Sequence, residues 1–547
     1  MAALPPRAGL DPAPDQKIFN LGVYYSDHYR QAFYAALAAG EVKPLLLPWS
    51  FIGSFFLPLL YLSIPHTNRP WLYRMRWAAA AAVVYLNFDL LRTTSAGNEA
   101  VAYTTGLIAV WGTIWSLRML IFTRPQWEAA RIERRPKKTL QNGLTKDKET
   151  PHTTMLPDES VSPYNEYFWQ PFPSHAPFLT RLGWTADLLI CFRGAGWNFA
   201  IPAIPHPPLL SPSATSALVT IPNPRTKHPP IVHLDAIPLT SRTGASRSRS
   251  RTHFLLSRLR QLILSWLVID LLTITIRQDP YFVLGPDYTS HPFPLPAFLA
   301  ALPSPRLAIP LLRNISALAG VIAGLHLYAS LLQLLLVFPL RKAVGIKAEL
   351  WQHPTIFGGF AASVLDRGLA GFWGGWWHQT FRAGFVAPAR WLFPRQHQRR
   401  ARAVAEVVLA FVLSGMLHAA GGESAVSETT RAWTPVVFFG AQAVGVLVQT
   451  GLCGMPVVKG WTGRMPGWVR RGGNLVFVLV WLQVTGWGLV DDMSRAGLWL
   501  FEPVPVSFLR MMGLGLPGDE NWWRWGGGEY GLRWYRGRYW WESGIRL

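Results

Sequence analysis

The chain has 547 residues, half of them hydrophobic and only 15% charged. A soluble protein usually carries about 25% charged residues, so this deficit indicates a membrane protein. The net charge is +22, but the basic residues lie mostly between apolar segments, as the positive-inside rule predicts, which argues against a nucleic-acid partner. Only two cysteines are present, which excludes a disulfide framework and a cysteine-based zinc site. We expect no bound metal or cofactor.

Apolar stretches of spanning or near-spanning length recur along the chain. They cover residues 44–64, 77–94, 101–122, 259–276, 311–338, 403–420, 434–451 and 473–490. A ninth, glycine-rich segment at 357–377 is too irregular to face lipid, and we predict that it is re-entrant and buried in protein. The predicted fold class is therefore all-α, a multi-pass transmembrane helical bundle of about eight to nine spans.

Charge and composition divide the chain into five predicted regions. These are an N-terminal segment (1–43), three first transmembrane helices (44–122), a basic cytoplasmic region (123–258), a core (259–490) and a Trp/Arg-rich tail (491–547). Within the basic region, residues 201–252 are rich in Pro, Ser and Thr without apolar periodicity, which predicts a disordered loop. Trp, Tyr and Arg alternate in the tail, which is typical of an anchor at the membrane interface.

Two histidines lie in or beside apolar segments. His378 follows a tryptophan pair, and His418 lies near the end of the apolar run from Val404 to Ala420. An ionisable group at membrane depth is costly and suggests a functional site. His418 has few polar neighbours along the chain, which favours a neutral imidazole that can accept a proton from a hydroxyl. The alternatives are a histidine satisfied by a neighbouring helix, or one at the membrane boundary.

The context of both histidines resembles the membrane-bound O-acyltransferase superfamily, in particular its fungal wax-synthase-like branch. The matching pieces are Phe372-Trp-Gly-Gly-Trp-Trp-His-Gln379, Ser414-Gly-Met-Leu-His418, Arg193-Gly-Ala-Gly-Trp197 and Trp351-Gln-His-Pro-Thr-Ile-Phe-Gly358. The resemblance covers about residues 181–490. The first three predicted spans match only in hydropathy.

The resemblance implies an acyl-CoA-dependent O-acyltransferase of the endoplasmic reticulum membrane. His418 would be the general base, and His378 would occupy a position that many superfamily members give to Asn. Acetyl-CoA is the expected co-substrate, with a terpenoid or meroterpenoid alcohol of secondary metabolism as acceptor. Arg382, and also Arg390, could pair with CoA phosphates. The residues expected to contact substrate are Trp376, Trp377, Gln379, Arg382 and Ser414.

Three other functions stay open at this point. The first is a wax ester synthase that joins acyl-CoA to a long-chain fatty alcohol. The second is a proton-coupled transporter, which would require paired carboxylates or inverted repeats that the sequence does not show. The third is a catalytically silent scaffold. The expected partners of the enzyme are the lipid bilayer, a lipophilic alcohol and acyl-CoA.

Overall fold

The structure is a computed structural model that describes residues 21–137, 159, 164–207, 230–287, 295–425, 430–525 and 532–547. The helices before the predicted loop are α1 (Leu21–Ala38), α2 (Leu57–Ser63), α3 (Pro70–Arg74), α4 (Arg76–Thr93), α5 (Glu99–Leu117), α6 (Pro125–Glu128) and α7 (Phe178–Ile190). The central helices are α8 (Arg251–Ile276), α9 (Pro280–Leu284), α10 (Ala297–Ala300), α11 (Pro305–Val337), α12 (Arg341–Val344), α13 (Asp366–Gly371), α14 (Arg382–Phe385) and α15 (Ala387–Leu392). The last are α16 (Arg399–Ser424), α17 (Trp433–Gly454), α18 (Pro456–Arg464), α19 (Gly467–Thr485), α20 (Trp487–Arg495) and α21 (Phe508–Met511).

The predicted all-α transmembrane fold is confirmed. Within the described residues, five helical stretches are long and apolar enough to cross a membrane, and a sixth arises if α19 and α20, which meet at a bend of 43°, form one span. The five are Glu99–Phe122, Arg251–Ile276, Pro305–Val337, Gln396–Ser424 and Trp433–Gly454.

Within the described residues, five or six helices are long and apolar enough to cross a membrane, fewer than the eight to nine spans predicted. The first predicted span contains only the apolar helical stretch Trp49–Ser63, which is shorter than the ~20 residues that cross a bilayer. The second predicted span, α4, carries the three charged residues Arg76, Asp89 and Arg92 within 18 residues. The ninth predicted segment, 357–377, is irregular, as expected: two π-helical turns flank α13, where Gly368 adopts a φ of +60°.

Short strands supplement the helices at several places in the described chain. They are β1 (Lys43–Pro44), β2 (Leu46–Leu47), β3 (Thr94–Ser95), β4 (Ala130–Pro136), β5 (Asn165–Pro171), β6 (Arg533–Tyr535) and β7 (Gly544–Arg546). Strands β4 and β5 pair antiparallel with Ile132 opposite Trp169. Strand β7 joins β6 and β2 in one antiparallel sheet, so the C-terminal tail is tied to the start of the first apolar segment.

The predicted disordered loop 201–252 is wrong for the residues that the structure describes there. Leu234 and Ile237 are buried in an apolar core with Ile132 and Trp169 of the β4–β5 pair. The backbone of Thr243 accepts a hydrogen bond from Ser363, inside the irregular segment. Leu234 and Ile237 are isolated apolar residues in a Pro/Ser/Thr-rich stretch, so the sequence there shows no apolar periodicity that would have predicted their burial. Residues 208–229 of the predicted loop lie outside the described residues.

Helices α5 and α16 approach each other very closely. A Cβ on Gly106 of α5 would lie 1.8 Å from the carbonyl oxygen of Ala420 on α16. The Ser424 hydroxyl accepts a hydrogen bond from the Gly106 N–H at 2.8 Å and contacts the Ala102 carbonyl oxygen at 2.7 Å. Small residues at a crossing allow this approach in membrane proteins. The contact fixes the first apolar helices against the helix that carries His418.

Candidate active site

His378 is presented by a tight turn built from aromatic residues. A π-helical turn over Phe372–Trp376 ends where Trp377 leaves helical geometry, with ψ of 147°. The Gln379 amide donates hydrogen bonds to the carbonyl oxygens of Trp373 at 2.6 Å and Trp377 at 2.8 Å. The Phe372 and Trp377 rings stack at a centroid distance of 5.8 Å. These bonds and contacts hold the backbone on both sides of His378.

The His378 ring contacts aromatic neighbours but leaves one nitrogen unused. Its centroid lies 5.3 Å from that of Trp377 and 5.7 Å from that of Phe381. The Nδ1 atom is buried and has no hydrogen-bond partner among the described residues. Because most buried polar groups are hydrogen-bonded, such an exception calls for an explanation. The ring therefore retains hydrogen-bonding capacity for a ligand.

His418 belongs to a regular stripe of α16 residues. Spacing of three and four residues places Ala403, Val407, Ala410, Ser414 and His418 along one side of the helix, where all five line the same cavity. The His418 ring stacks on Phe439 of α17, at a centroid distance of 5.1 Å and an interplanar angle of 15°. Its Nδ1 lies 3.2 Å from the hydroxyl oxygen of Tyr103 on α5. Two neighbouring helices thus fix the plane and rotation of the ring.

Both histidines line one cavity of about 2020 Å³. Their rings are close enough to interact electrostatically, although they come from different elements separated by 40 positions in the sequence (418 − 378). Most of the remaining lining is aliphatic and aromatic. One wall is a stripe of α11 spaced by seven residues: Leu311, Leu318, Leu325 and Leu332. Only 17% of the apolar window of α11 is buried inside the protein, so this wall belongs to a helix that otherwise faces outward.

Another part of the cavity lining is charged. Asp187 of α7 pairs with Arg131 at 3.2 Å and with Lys347 at 2.8 Å, and all three line the cavity. Arg193 also lines it and is close enough to His378 to interact electrostatically. Asp187 and Glu133, which pairs with Arg131 at 2.9 Å and also lines the cavity, balance the charges of Arg131 and Lys347. Positive charge from Arg193 and Arg382 beside a buried apolar chamber suits a ligand that combines an anionic part with an apolar part.

The motif around Arg193 and the motif around Trp351 meet at the wall of the cavity. The Arg193 guanidinium donates a hydrogen bond to the Thr355 carbonyl oxygen at 2.9 Å. The neighbouring His353 ring lies 2.7 Å from the Lys347 carbonyl oxygen through Nε2, and burial lowers the pKa of His353 to about 4. A neutral His353 and a fixed Arg193 therefore shape the loop that leads into the irregular segment.

Residues 353–440, which contain both histidines, match the membrane bound O-acyl transferase family. The resemblance to this family is confirmed. The match begins at His353 and ends just beyond Phe439, so it covers both histidines and the rings of Trp377, Phe381 and Phe439 that contact them. The family-like segment therefore includes the part of the cavity lining that carries both histidines. Among the described residues, no three His, Cys, Asp or Glu side chains group as metal ligands.

Acetyltransferase sirH from Emericella nidulans is similar to this chain over a longer region. The two sequences are 23% identical over 353 residues, which is 63% of this chain and 63% of that acetyltransferase. The similarity thus spans less than two thirds of either protein. No solved structure matches the chain.

Four of the five predicted substrate-contacting residues line the cavity with the histidines: Trp377, Gln379, Arg382 and Ser414. Trp376 does not line it. Its ring lies on the other side of the turn, packed on Phe357 and Phe360 at centroid distances of 5.4 and 5.6 Å. The placement of Trp376 therefore does not support the predicted substrate contact.

The two predicted CoA-pairing arginines differ in position. Arg382 lines the cavity, and its Nη1 donates to the Gly374 carbonyl oxygen and to Gln379 Oε1, each at 3.0 Å. Arg390 does not line the cavity and instead pairs with Glu406 at 2.9 Å. Arg382 thus stabilises the turn that carries His378, while part of its side chain still faces the chamber.

Several residues of the site carried no sequence signal. Tyr103 contacts His418 across 315 positions of sequence, from a helix that matched the family only in hydropathy. Arg131 and Lys347 line the cavity and pair with Asp187, but in the sequence each of them alone resembles an ordinary surface cation. A tyrosine on an apolar helix and scattered basic residues become informative only when the fold brings them together.

Proposed function

We propose that this protein is a membrane-embedded, acyl-CoA-dependent O-acyltransferase with His418 as general base. One observation carries the proposal: two histidines from separate elements of the family-like segment face one large, mainly apolar chamber that also has a cationic part. A chamber of this kind can hold a thioester whose CoA portion is anionic together with an apolar alcohol. Buried imidazole is a suitable base for a hydroxyl because it is neutral before it accepts the proton.

The proposed reaction needs one proton acceptor and one group that stabilises charge. The His418 imidazole takes the hydroxyl proton of the alcohol while the alcohol oxygen attacks the thioester carbonyl. The oxyanion that forms is stabilised by hydrogen bonding from the side of His378 and by the field of nearby cations. The carbon–sulfur bond then breaks, and the imidazolium returns its proton to the leaving thiolate. The products are an ester and free CoA.

The acyl group that we propose is acetyl, and the acceptor is a terpenoid-type alcohol. Similarity to a protein named as an acetyltransferase supports the acyl group. The aliphatic wall formed by α11 supports a lipophilic acceptor, since that helix otherwise faces outward and an apolar alcohol would reach the chamber from the bilayer.

The proposal is tested with membranes that contain the protein and with matched membranes that lack it. Each is supplied with acetyl-CoA or palmitoyl-CoA together with geranylgeraniol or hexadecanol, and esters are quantified by mass spectrometry. Acetyl ester of the terpenoid alcohol is the expected product. Palmitoyl ester of hexadecanol as the dominant product would replace this proposal with a wax ester synthase. Absence of every ester would contradict a transferase.

A further inference from the structure

We infer that Tyr103 is the positioning residue for His418: its hydroxyl accepts a hydrogen bond from Nδ1–H and so keeps Nε2 free as the base. This inference rests on the proposed function of His418. The contact that motivates it is the 3.2 Å distance between the Tyr103 hydroxyl oxygen and His418 Nδ1. Neutral imidazole carries its proton on one nitrogen only, so the partner of Nδ1 decides whether Nε2 can accept a proton.

Packing between α5 and α16 fixes the position of the Tyr103 phenol ring. Tyr103 is 3% exposed on α5, and its ring packs against α16 where Gly421 leaves room. A Cβ at Gly421 would lie 2.6 Å from the Tyr103 ring. The crossing of the two helices is locked one turn further along by the Ser424 hydroxyl, which accepts a hydrogen bond from the Gly106 N–H. The phenol is therefore held by backbone packing rather than by its contact with His418.

Phe439 restricts the orientation of the His418 ring from a second side. Phe439 of α17 stacks on the imidazole face with an interplanar angle of 15°. With the face covered and Nδ1 engaged by Tyr103, Nε2 is the nitrogen left to meet a ligand in the cavity that His418 lines. The geometry thus selects one ring nitrogen for the reaction.

A buried carboxylate favours the required direction of the hydrogen bond. Asp492 of α20 is fully buried and close enough to Tyr103 to interact electrostatically. Its Oδ1 accepts a hydrogen bond from the Arg431 N–H at 3.3 Å, and its Oδ2 has no hydrogen-bond partner among the described residues. The unpartnered carboxyl oxygen of Asp492 favours a phenol hydrogen that points toward it, which leaves an oxygen lone pair of Tyr103 for Nδ1–H. In the opposite arrangement the phenol would donate to Nδ1, and Nε2 would carry the proton.

The tautomer is measured directly with ¹⁵N,¹³C-histidine-labelled protein in lipid nanodiscs. Protonated and unprotonated ring nitrogens give well-separated ¹⁵N resonances, and correlation to the ring carbons distinguishes Nδ1 from Nε2. The signals of His418 are those lost in His418→Gln. We expect protonated Nδ1 in the unmodified protein and a mixture of both tautomers in Tyr103→Phe. Protonated Nε2 in the unmodified protein would overturn the inference, even if Tyr103→Phe failed to fold.

Kinetics provide a second test with a matched control. Tyr103→Phe removes only the hydroxyl, and we expect kcat for acetyl transfer to fall about 10- to 100-fold, because loss of tautomer control lowers kcat strongly in other histidine-based sites, while KM for acetyl-CoA stays within about twofold. Tyr167→Phe removes another buried hydroxyl, which hydrogen-bonds Glu349 at 3.1 Å away from the chamber, and should leave kcat unchanged. Equal kcat for Tyr103→Phe and the unmodified protein would refute the positioning role. If the unmodified protein forms no ester, the proposed function fails, and the spectrum still decides the tautomer.

Discussion

The imidazole ring of His378 is held in place, but its Nδ1 has no hydrogen-bond partner in the described part of the chain. The Gln379 side-chain amide donates hydrogen bonds to backbone carbonyl oxygens of the turn, and aromatic rings contact the imidazole. A side chain needed only for packing would not require a ring nitrogen there. The fixed ring and its available nitrogen support the proposed role of His378 as a preorganised hydrogen-bonding group.

The rate of acyl transfer by variants at position 378 should therefore depend on whether the new side chain can donate a hydrogen bond. His378→Ala removes the ring and is expected to lower the rate of acyl transfer by about 10²–10³-fold, the usual effect of losing a group that stabilises an oxyanion. His378→Asn keeps an amide that can donate a hydrogen bond, and many superfamily members carry Asn there, so we expect a milder loss of about tenfold. Initial rates with acetyl-CoA measure both. Equal and complete loss in the two variants would show that His378 itself moves a proton.

Among the elements, the crossing of α5 and α16 matters most for the site. It holds Tyr103 beside His418, and it depends on the absence of a side chain at Gly106, where a Cβ would lie 1.8 Å from the Ala420 carbonyl oxygen. Backbone atoms cannot rotate away as the end of a flexible side chain can. The two helices must therefore separate if anything larger is introduced.

Gly106→Ala is expected to lower the free energy of unfolding by about 1–3 kcal/mol, the typical cost of overpacking. The matched control is Gly440→Ala on α17, where a Cβ would meet nothing within 4 Å. Since Ala is favoured over Gly in a helix, that control should be neutral or raise stability by about 0.5–1 kcal/mol. Thermal unfolding in detergent compares the two. Similar midpoints for both variants would show that the crossing is looser than described.

Sequence patterns located the long apolar helices well but misjudged the shorter ones. The spans beginning at Glu99, Arg251, Pro305 and Trp433 agree with predicted apolar stretches, because about 20 apolar residues in a row have few other interpretations. Around 44–64 the chain instead forms 3₁₀, π and α turns in succession, which hydropathy alone does not predict. The two histidines were found through their motifs. Tyr103 was not, because its role arises only from a contact 315 positions away in the sequence.

Over the whole molecule, the segment after Trp197 contacts both the β4–β5 pair and the irregular segment 357–377. Leu234 and Ile237 pack into the core beneath β4 and β5, and Thr243 touches the irregular segment through its carbonyl oxygen. The part of the predicted loop from residue 230 onward is thus structured, although its Pro/Ser/Thr-rich composition predicted disorder. The first half, 208–229, shares that composition, and the prediction for it stands on sequence alone.

Two deletions test the two halves of the predicted loop separately. Replacing residues 209–229 with a short Gly/Ser linker should leave insertion and acyl transfer close to the unmodified level, since such a sequence can bury little. Extending the deletion to residue 245 removes Leu234, Ile237 and the Thr243 contact, and should abolish activity and lower the yield of folded protein. Activity and monodispersity are measured for both. Full activity after the longer deletion would contradict the packing described for 230–245.

In the proposed reaction, His418 accepts the proton of the alcohol in the chamber that it shares with His378. The test is ester formation from acetyl-CoA and a terpenoid alcohol, with unmodified protein and His418→Ala purified in parallel and matched for size-exclusion profile and thermal midpoint. We predict that the variant loses about 10²–10⁴-fold in rate, the contribution typical of a general base, while remaining folded. Ester formation by His418→Ala at close to the unmodified rate would show that His418 is not the general base.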